Sequence, residues 1–534
     1  MCGTSFIILA SLVLSGCGPA SSDNDAASAG VGTPEQRGAL FDTIYARTER
    51  REAFSPAKNA ALGYDPMQEM RAVRPRFLAA ETDVDLFYAI AAASHARRDR
   101  HLDLLLAPNG LELPDSAGLE FANGDEIPLR QAPVRIFPDF GTEAIDYFVG
   151  DRAHVEGVAV PEVGDRVVEV NGLEISAWHG AVTAYMRHSS TIGLQWKLAE
   201  AMGQDGAGIP PELRSTTLDL VVEAGDGSQR EYSLPYGDPE SLAFDGVGEP
   251  TYPGTRVAMT TATFDLYVPT EPTDYVVLLW RGFRETMVPD VDALVEFASA
   301  EGLLDRALIM DVTRSRGGSL GPYAMQRLQP QSFRTTFGNL RLSDVIMPFV
   351  EDKRADFAAR NINDSGVREI IDDGSWLMEW LEDDVVPGLE RGDDYSTNVP
   401  FKSAHAPKDS DGVLDPAPIH FRGPLVVISG PSGGSHLDQW NSIVADNDLG
   451  VLVGMPAGGY SNTWEWDETL TLPGTDRPLV NFMWNIGHSL RPNGEILEGN
   501  PAVVDEWIPL TADNVETYYA TLLERALAHA GSRR

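Results

Sequence analysis

The sequence predicts an α/β protein with three folded parts: an N-terminal helical segment, a β-rich domain, and a C-terminal α/β domain with a helical insert. Three observations lead to this fold class. Apolar residues recur at helical spacing over residues 37–100, short β runs separated by Gly and Pro follow over 133–236, and buried β runs alternate with helical stretches after about residue 250. A chain of 534 residues with 43% hydrophobic residues can form two or three domains with substantial cores.

The first residues have the pattern of a secretion signal. Residues 6–14 (FIILASLVL) form an apolar run too short to cross a bilayer, and LSGC follows at residues 14–17. This combination resembles the lipobox of bacterial lipoproteins. The resemblance implies that residues 1–16 are a signal peptide and that Cys17 becomes the lipidated first residue, which anchors the protein in the cell envelope, facing the periplasm.

The residues that follow the signal predict a flexible tether. Residues 17–36 are small, polar and low in complexity, which is typical of a linker without a packed core. Gly18 directly follows the lipobox cysteine, and in such lipoproteins this implies sorting to the outer membrane. Cleavage of the signal would also remove Cys2, so the mature chain would have no cysteine available for a disulfide.

Residues 37–130 predict the helical segment. Residues 84–93 (VDLFYAIAAA) indicate a buried helix, and residues 102–107 (LDLLLA) a short strand after it. The helical spacing is clearest at Leu40, Phe41, Ile44 and Tyr45.

Residues 131–240 predict the β-rich domain, and residues 164–172 (GDRVVEVNG) are its most informative stretch. Gly-Asp makes a turn, an alternating strand follows, and Asn-Gly supplies the positive φ of a tight hairpin. The stretch resembles the core of a PDZ domain, which implies that this domain binds an extended peptide by strand addition.

Residues 250–534 predict the α/β domain. Alternation of buried strands with helices indicates a largely parallel or mixed sheet covered by helices. An insert occupies about residues 320–420, and its aromatic stretch WLMEWL at 376–381 fits core packing better than a substrate lid. An amphipathic helix at 515–530 ends the chain. The expected strands are residues 275–280, 307–312, 425–429 and 450–455, with a helix at about 291–300.

Charge and motifs exclude several classes of function. The net charge of −39, without a long acidic run, argues against a nucleic-acid partner and indicates a solvated acidic surface. The sequence has neither an H-E-x-x-H motif nor a Cys/His cluster, so we predict no metal site. A phosphate-binding loop is also absent from the sequence, and we predict no cofactor.

Residues 425–440 (LVVISGPSGGSHLDQW) place three serines at a strand-to-helix corner, which is a common position for a nucleophile. Ser432 fits the G-x-S-x-G pattern of a nucleophile elbow. That interpretation needs an acid and then a histidine later in the chain. The competing serines are Ser429 and Ser435, and the partners available to Ser432 are Asp446 or Asp467 with His488.

A family resemblance favours Ser435. Residues 307–318 (ALIMDVTRSRGG) resemble the "LIIDLRGNGGG" motif of the C-terminal-processing and tricorn-like serine peptidases. An ungapped alignment then puts Ser435 at the nucleophile position and Tyr460 where the C-terminal-processing branch has a lysine. The tricorn-like branch lacks that lysine, and its "G-x-x-T-W-G-G" resembles residues 454–459. Residues 494–505 resemble a further family segment, so the resemblance extends from about residue 85 to 530 and implies a ClpP/crotonase-like catalytic core.

The resemblance also implies roles for individual residues. It predicts a serine hydrolase that cleaves peptides or unfolded protein tails through an acyl-enzyme; the alternatives are an inactive peptide-binding protein of the same fold and a serine esterase. A serine hydroxyl needs a base and a group that orients the base. The implied roles are Ser435 as nucleophile, His101 as base with His95 as the alternative, Glu498 as the orienting carboxylate, and Gly317 or Gly318 with His436 as oxyanion donors.

Overall fold

In a computed structural model, the described residues are 30–114, 119, 129–142, 144–247, 249–284, 286–359, 375–400, 409–461 and 464–532. The predicted signal peptide, Cys17 and the tether up to residue 29 lie outside them. The predicted α/β fold class is confirmed by the mixture of helices and sheets. Within the described residues, no helix is both long and apolar enough to span a bilayer.

Five helices form the N-terminal segment. The first begins earlier than the predicted end of the tether at residue 36, because Thr33 caps it. The Thr33 hydroxyl accepts the N–H of Gln36, and the Gln36 side chain accepts the N–H of Thr33. The helices are α1 Pro34–Arg51, α2 Phe54–Leu62, α3 Pro66–Ala72, α4 Arg74–Ala79 and α5 Asp83–His95.

Residues 131–240 contain an antiparallel sheet of six strands in the order β3-β4-β5-β8-β9, with β6 paired to β5. This sheet and two helices enclose their own hydrophobic core, which includes the buried residues Trp178 and Leu198. The PDZ-like identity of this domain stays a prediction. The elements are β1 Leu104–Leu106, β2 Arg130–Gln131, β3 Val134–Asp139, β4 Asp146–Arg152, β5 Arg166–Val170, β6 Leu173–Glu174, α6 Ile175–Val182, α7 Thr191–Met202, β7 Gln204–Asp205, β8 Thr217–Glu223 and β9 Gln229–Pro235.

The remaining elements build the C-terminal domain. In chain order they are β10 Thr255–Thr260, β11 Phe264–Pro269, β12 Tyr275–Trp280, β13 Gly282–Phe283, α8 Met287–Ala300, β14 Ala307–Asp311, β15 Arg316–Gly318, α9 Gly321–Leu328, β16 Phe333–Arg334, β17 Phe337–Leu340, α10 Ile346–Ala359, α11 Ser375–Trp380, α12 Val386–Arg391, β18 Val399–Pro400, β19 Val413–Leu414, β20 Leu425–Ser429, α13 His436–Asp446, β21 Gly450–Gly454, β22 Glu465–Thr471, β23 Pro478–Asn485, β24 Gly487–Leu490, β25 Glu506–Trp507 and α14 Tyr518–Ser532.

A seven-stranded sheet in the order β10-β11-β12-β14-β20-β21-β25 forms the centre of this domain. Strands from β12 to β25 pair in parallel, while β10 and β11 are antiparallel at one edge. Helices α8, α9 and α13 pack on one face, and α14 packs on the other. Both faces are covered, which explains why the strands are continuous apolar runs.

The insert is not wholly helical, because it also supplies strands β16 to β19. Strand β17 pairs with both β18 and β24. In the helical part, Trp380 is only 1% exposed and its ring lies 5.7 Å from the ring of Trp464. The predicted core packing of this aromatic stretch is therefore confirmed at Trp380.

A long-range pairing joins the N-terminal segment to the C-terminal domain. Strand β1 pairs antiparallel with β23, with Leu104 opposite Phe482, and β22 continues the sheet beyond β23. Just before β1, the Asn485 side chain donates a hydrogen bond to Asp99 over 2.9 Å. These contacts fix the position of the short segment that carries His101.

Candidate active site

Ser435 lies at the sharp corner between strand β20 and helix α13. Its backbone has φ 62° and ψ −122°, a conformation that non-glycine residues rarely adopt. Such strain costs on the order of 1–3 kcal/mol and persists only where neighbours enforce it. Here the N–H of Ser435 donates to the carbonyl of Tyr460 over 2.5 Å. The strained turn places a half-buried serine at the N-terminus of a buried helix.

The other two serines of the corner have structural contacts. The Ser432 hydroxyl donates to the carbonyl of Thr313 over 2.6 Å. The Ser429 hydroxyl is fully buried and accepts a hydrogen bond from the Asn441 side chain over 2.8 Å. Both hydroxyls hold the corner together, which leaves Ser435 as the serine in the strained position.

The residues that would complete a catalytic triad with Ser432 have other partners or lie on other elements. His488 shares a hydrogen bond with Asn339 over 2.9 Å, and Asp446 pairs with Arg491. Asp467 lies on β22. Among the described residues, these contacts do not form a triad around Ser432.

The predicted oxyanion residues lie against Ser435. A methyl group added to Gly317 would come within 2.5 Å of the Ser435 Cβ and 2.9 Å of its Oγ, so the Gly317 backbone approaches the hydroxyl directly. Gly318 has φ +146°, and a Cβ there would meet the Phe283 carbonyl at 2.0 Å. The N–H of His436 is the first of helix α13, at the positive end of the helix dipole.

The His436 side chain has a separate, structural contact. Its Nε2 accepts the N–H of Gly321 over 2.7 Å, and its ring packs against Phe283. The imidazole is thus turned into the core between α9 and α13. This leaves the backbone N–H as the group of His436 that suits an oxyanion.

His101 lies on the turn between α5 and β1, beside the Ser435 corner. Its backbone N–H donates to Asp99 Oδ1 over 2.9 Å. Its ring centroid lies 5.2 Å from that of Tyr460, whose carbonyl accepts the N–H of Ser435. Tyr460 therefore contacts both the candidate base and the candidate nucleophile.

Two buried carboxylates flank His101. Polar atoms of Asp99, His101 and Glu498 all lie within 4.8 Å of one another, and His101 Nδ1 is 4.0 Å from Asp99 Oδ1. Glu498 Oε2 accepts the N–H of Ser461 over 2.6 Å, and Lys58 Nζ is 3.8 Å from Oε1. Burial raises the pKa of Glu498, the nearby charge of Asp99 raises it further, and Lys58 opposes both effects.

These three residues could also surround a cation, but their contacts fit proton handling better. Both oxygens of Asp99 already accept hydrogen bonds, from the His101 N–H and the Asn485 side chain. Lys58 supplies positive charge beside Glu498. A divalent cation there would be opposed by this ammonium group.

The sequence did not indicate Asp99. It stands two residues before His101 in the turn Asp99-Arg100-His101, and that spacing lets its carboxylate accept the backbone N–H of the histidine. An acidic residue two positions before a candidate base was the sequence signal that could have indicated Asp99. His95, the alternative base, lies at the end of α5, where burial and nearby cations lower its pKa well below the usual value.

Asp438 is a further acid at this corner. It is in the first turn of α13 but fully buried. Its two oxygens accept the N–H groups of Gly459 and Tyr460, over 3.1 and 3.0 Å. Burial raises the pKa of Asp438 to about 8, while these N–H groups act in the opposite direction. Asp438 thus fixes the loop that contacts Ser435.

No protein-family model and no curated protein sequence matches the chain. Solved structures do match it. Mature CPAF complexed with lactacystin superposes with a TM-score of 0.69 at 13% sequence identity, over 94% of this chain and 99% of that chain. Mature CPAF and a CPAF mutant give TM-scores of 0.68 and 0.65 at 14% and 13% identity, each over 92% of this chain and 96% of the other. The likeness spans nearly all of both chains, so this chain has the fold of CPAF.

Proposed function

We propose that this chain, which has the fold of CPAF, is a serine peptidase with Ser435 as its nucleophile. One observation carries the proposal. Ser435 is held at a positive φ of 62° at the start of α13, with the Gly317 backbone against its hydroxyl. This arrangement offers backbone donors to an oxyanion next to a serine, which is the requirement of acyl transfer.

The proposed reaction proceeds through an acyl-enzyme. The Ser435 oxygen attacks the peptide carbonyl carbon while His101 takes the hydroxyl proton. The tetrahedral oxyanion is held by backbone N–H groups of Gly317 or Gly318 and of His436, and one such donor contributes about 3–4 kcal/mol. His101 then gives the proton to the leaving amine, and water releases the acyl group by the reverse sequence.

Glu498 and Asp99 act on the base in this proposal. Their carboxyl groups lie beside the imidazole of His101 within the 4.8 Å cluster. An acid at that position orients the ring through its oxygens, and in its ionised form it stabilises the imidazolium that forms during attack. Lys58 balances the charge of the two acids, because its ammonium lies 3.8 Å from Glu498.

We further propose that the substrates are peptides or unfolded protein tails. The domain of residues 131–240, with its antiparallel sheet and its own core, supports a peptide-binding role by strand addition. Helix α7 of that domain is close to the site, because the Ser190 hydroxyl that caps it donates to the Gly458 carbonyl over 2.7 Å. A peptide held there would be near Ser435.

The proposal includes a lipid anchor at Cys17 and a location at the outer membrane, facing the periplasm. The support is the lipobox-like sequence alone. Expression with a radiolabelled fatty acid tests it, followed by separation of inner and outer membranes. Label in the wild type that is lost in Cys17→Ser supports the anchor, and an unlabelled soluble wild type rejects it.

Reaction with a fluorophosphonate tests the active site. Intact mass and peptide mapping follow the reaction in the wild type, Ser435→Ala, Ser432→Ala and His101→Ala. We expect one adduct on Ser435 in the wild type, none in Ser435→Ala, normal labelling in Ser432→Ala and slow labelling in His101→Ala. Labelling that survives Ser435→Ala and vanishes in Ser432→Ala would overturn the assignment.

Turnover assays separate the alternatives. A wild type that folds and binds peptides but neither labels nor cleaves is an inactive binding protein. One that labels and hydrolyses activated esters, but cleaves no member of a diverse peptide library, is a serine esterase. Peptide cleavage that depends on Ser435 supports the proposed peptidase.

A further inference from the structure

A cavity of about 440 Å³ lies beside the candidate site, between helix α5, strand β1 and helix α7. One part of its wall is apolar. This part is lined by Phe87, Leu104, Tyr185, Met186 and Ile209. The cavity is large enough for one or two amino-acid side chains, and His95, the alternative base, is the candidate catalytic residue that lines it.

Three cations line the remainder of the cavity: Arg100, Arg187 and Lys197. Among the lining residues that the structure describes, two carboxylates lie with them. Asp103 pairs with Arg187, and Glu200 pairs with Lys197. The described part of the lining thus carries one more positive than negative charge, in a chain whose net charge is −39.

The cations repel one another. Burial and the nearby Arg100 lower the pKa of Arg187 to about 10. Burial also lowers the pKa of Lys197, with Arg100 and Arg187 contributing and Glu200 opposing. These cations are half-buried, and a group of like charges that is only partly compensated would be stabilised by a further anion.

The positive part of the cavity adjoins the candidate site. Arg100 directly precedes His101, and its guanidinium carbon lies 4.2 Å from the centroid of the Tyr460 ring. The same ring packs on His101. A peptide whose scissile bond lies at Ser435 would therefore pass within reach of these cations.

We propose that this cavity binds a carboxylate of the peptide substrate close to the scissile bond. The inference rests on the proposed peptidase function and names its substrate class. Lys197 and Arg187 attract the carboxylate, while the apolar wall contacts its carbon chain or a neighbouring side chain. The carboxylate comes either from an acidic side chain or from the end of the peptide, and the two sources are separable by experiment.

Paired peptides test the inference. A fluorogenic peptide set carries Glu or Gln at each position around the scissile bond, with the C-terminus as a free acid or an amide. We expect the wild type to cleave a Glu peptide with kcat/KM roughly tenfold or more above its Gln partner, as a charged hydrogen bond would give. If the wild type instead prefers peptides with a free C-terminal acid over their amides, the bound carboxylate is the one at the end of the peptide.

Variants connect this preference to the cavity. Lys197→Gln and Arg187→Gln should each remove most of the carboxylate preference, and Lys197→Glu should favour a Lys peptide over the Glu peptide. Lys353→Gln is the matched control, because Lys353 lies on α10 and pairs with Asp352 and Asp356. Equal cleavage of Glu and Gln peptides and of free acids and amides by the wild type would overturn the inference.

A binding assay separates failure of this inference from failure of the proposed function. Fluorescence anisotropy measures binding of labelled Glu and Gln peptides to Ser435→Ala, with and without Lys197→Gln. Glu-selective binding that requires Lys197 supports the cavity even if the fluorophosphonate does not label the wild type. If the fluorophosphonate labels Ser435 but neither cleavage nor binding prefers a carboxylate, the proposed peptidase function stands and the carboxylate-binding role of the cavity is rejected. Thermal unfolding checks that each variant folds.

Discussion

At the scale of single residues, the candidate site has two acids beside one imidazole. Asp99 holds the His101 backbone through Oδ1 and receives the Asn485 side chain at Oδ2, whereas Glu498 lies deeper, next to Lys58. The two acids therefore differ in task. Asp99 is fixed to the turn that carries the base, and Glu498 is fixed to the loop after β21 through Ser461.

Substitution of Asp99 by Asn tests whether its charge matters to the base. Asn keeps an acceptor for the His101 N–H but loses the acceptor for the Asn485 amide, whose Oδ1 is held by the Gly487 N–H, so thermal unfolding is measured beside the labelling. We expect fluorophosphonate labelling to slow about tenfold and the midpoint of its acid limb to move about one pH unit lower, because the imidazolium loses a nearby anion. Labelling reactions quenched at successive times between pH 5 and 9 measure both the rate of labelling and the midpoint of its acid limb.

Asp305→Asn is the control for that change, since Asp305 is an exposed acid that pairs with Arg422. A labelling profile of Asp99→Asn that matches Asp305→Asn at every pH would show that Asp99 only supports the fold.

Burial of Asp438 predicts a pH dependence of stability. Its pKa is about 8 in the folded protein against 3.8 as the ordinary value, so the folded state keeps a proton that the unfolded chain loses. Unfolding then releases a proton between pH 4 and 8, and the free energy of unfolding falls as pH rises through that range. Asp438→Asn should reduce this slope.

Chemical denaturation at pH 5, 6, 7 and 8 measures the slope. The slope is the quantity to compare, because Asn can accept only one of the two N–H groups and will lower stability at every pH. Asp305→Asn again serves as control, as pairing with Arg422 lowers the pKa of Asp305 below this range. An unchanged slope in Asp438→Asn contradicts the prediction.

At the scale of elements, the site depends on a two-stranded pairing next to the central sheet. Strand β13 pairs in parallel with β15, and this brings Gly317 and Gly318 to the Ser435 corner. Opposite them, helix α13 begins at His436 and supplies its first N–H. The oxyanion position thus lies between a strand and the start of a helix.

Gly317→Ala tests this geometry. Its methyl group would stand 2.5 Å from the Ser435 Cβ, so the corner must move away from the donors. We expect labelling to fall by about 100-fold or more, as for loss of an oxyanion donor, while the protein stays folded. Gly225→Ala is the matched control, since a Cβ there meets nothing within 4 Å. Equal labelling of the two variants would refute the assignment of Gly317.

At the scale of the whole molecule, the net charge of −39 acts on every part of the fold. Repulsion between like charges opposes the compact state, and salt weakens it as the Debye length falls from about 10 Å at 0.1 M to about 3 Å at 1 M. We expect Tm to rise by about 2 °C or more between 0.1 and 1 M NaCl. A similar rise in KCl would exclude binding of sodium as the cause, and a falling Tm would contradict the prediction.

Local patterns predicted the strands well. Residues 275–280 and 425–429 form β12 and β20 with the expected bounds, because a continuous apolar run fits a parallel strand buried on both faces. The end of the tether was less accurate, since the capping threonine at 33 was not considered.

The candidate site comes from the resemblance rather than from a local pattern, and the roles of its residues stay predictions. Ser435 and Gly317 are adjacent, and His101 joins Glu498, although these residues are far apart in sequence. Asp99 was missed because its second partner, Asn485, is 386 residues away. Periodicity reports which face of an element is apolar, but contacts between distant segments leave no local pattern.

The pairing of β1 with β23 also has a consequence for the timing of synthesis. His101 leaves the ribosome early, yet its turn is fixed only when Asn485 has been made, 386 residues after Asp99. At about 5–20 residues per second, that interval is roughly 20 to 80 s. During it, the nascent chain has the candidate base without its supporting strand. The proposed activity therefore requires the chain to be complete at least through Asn485, and we expect no cleavage by this site before that point of translation.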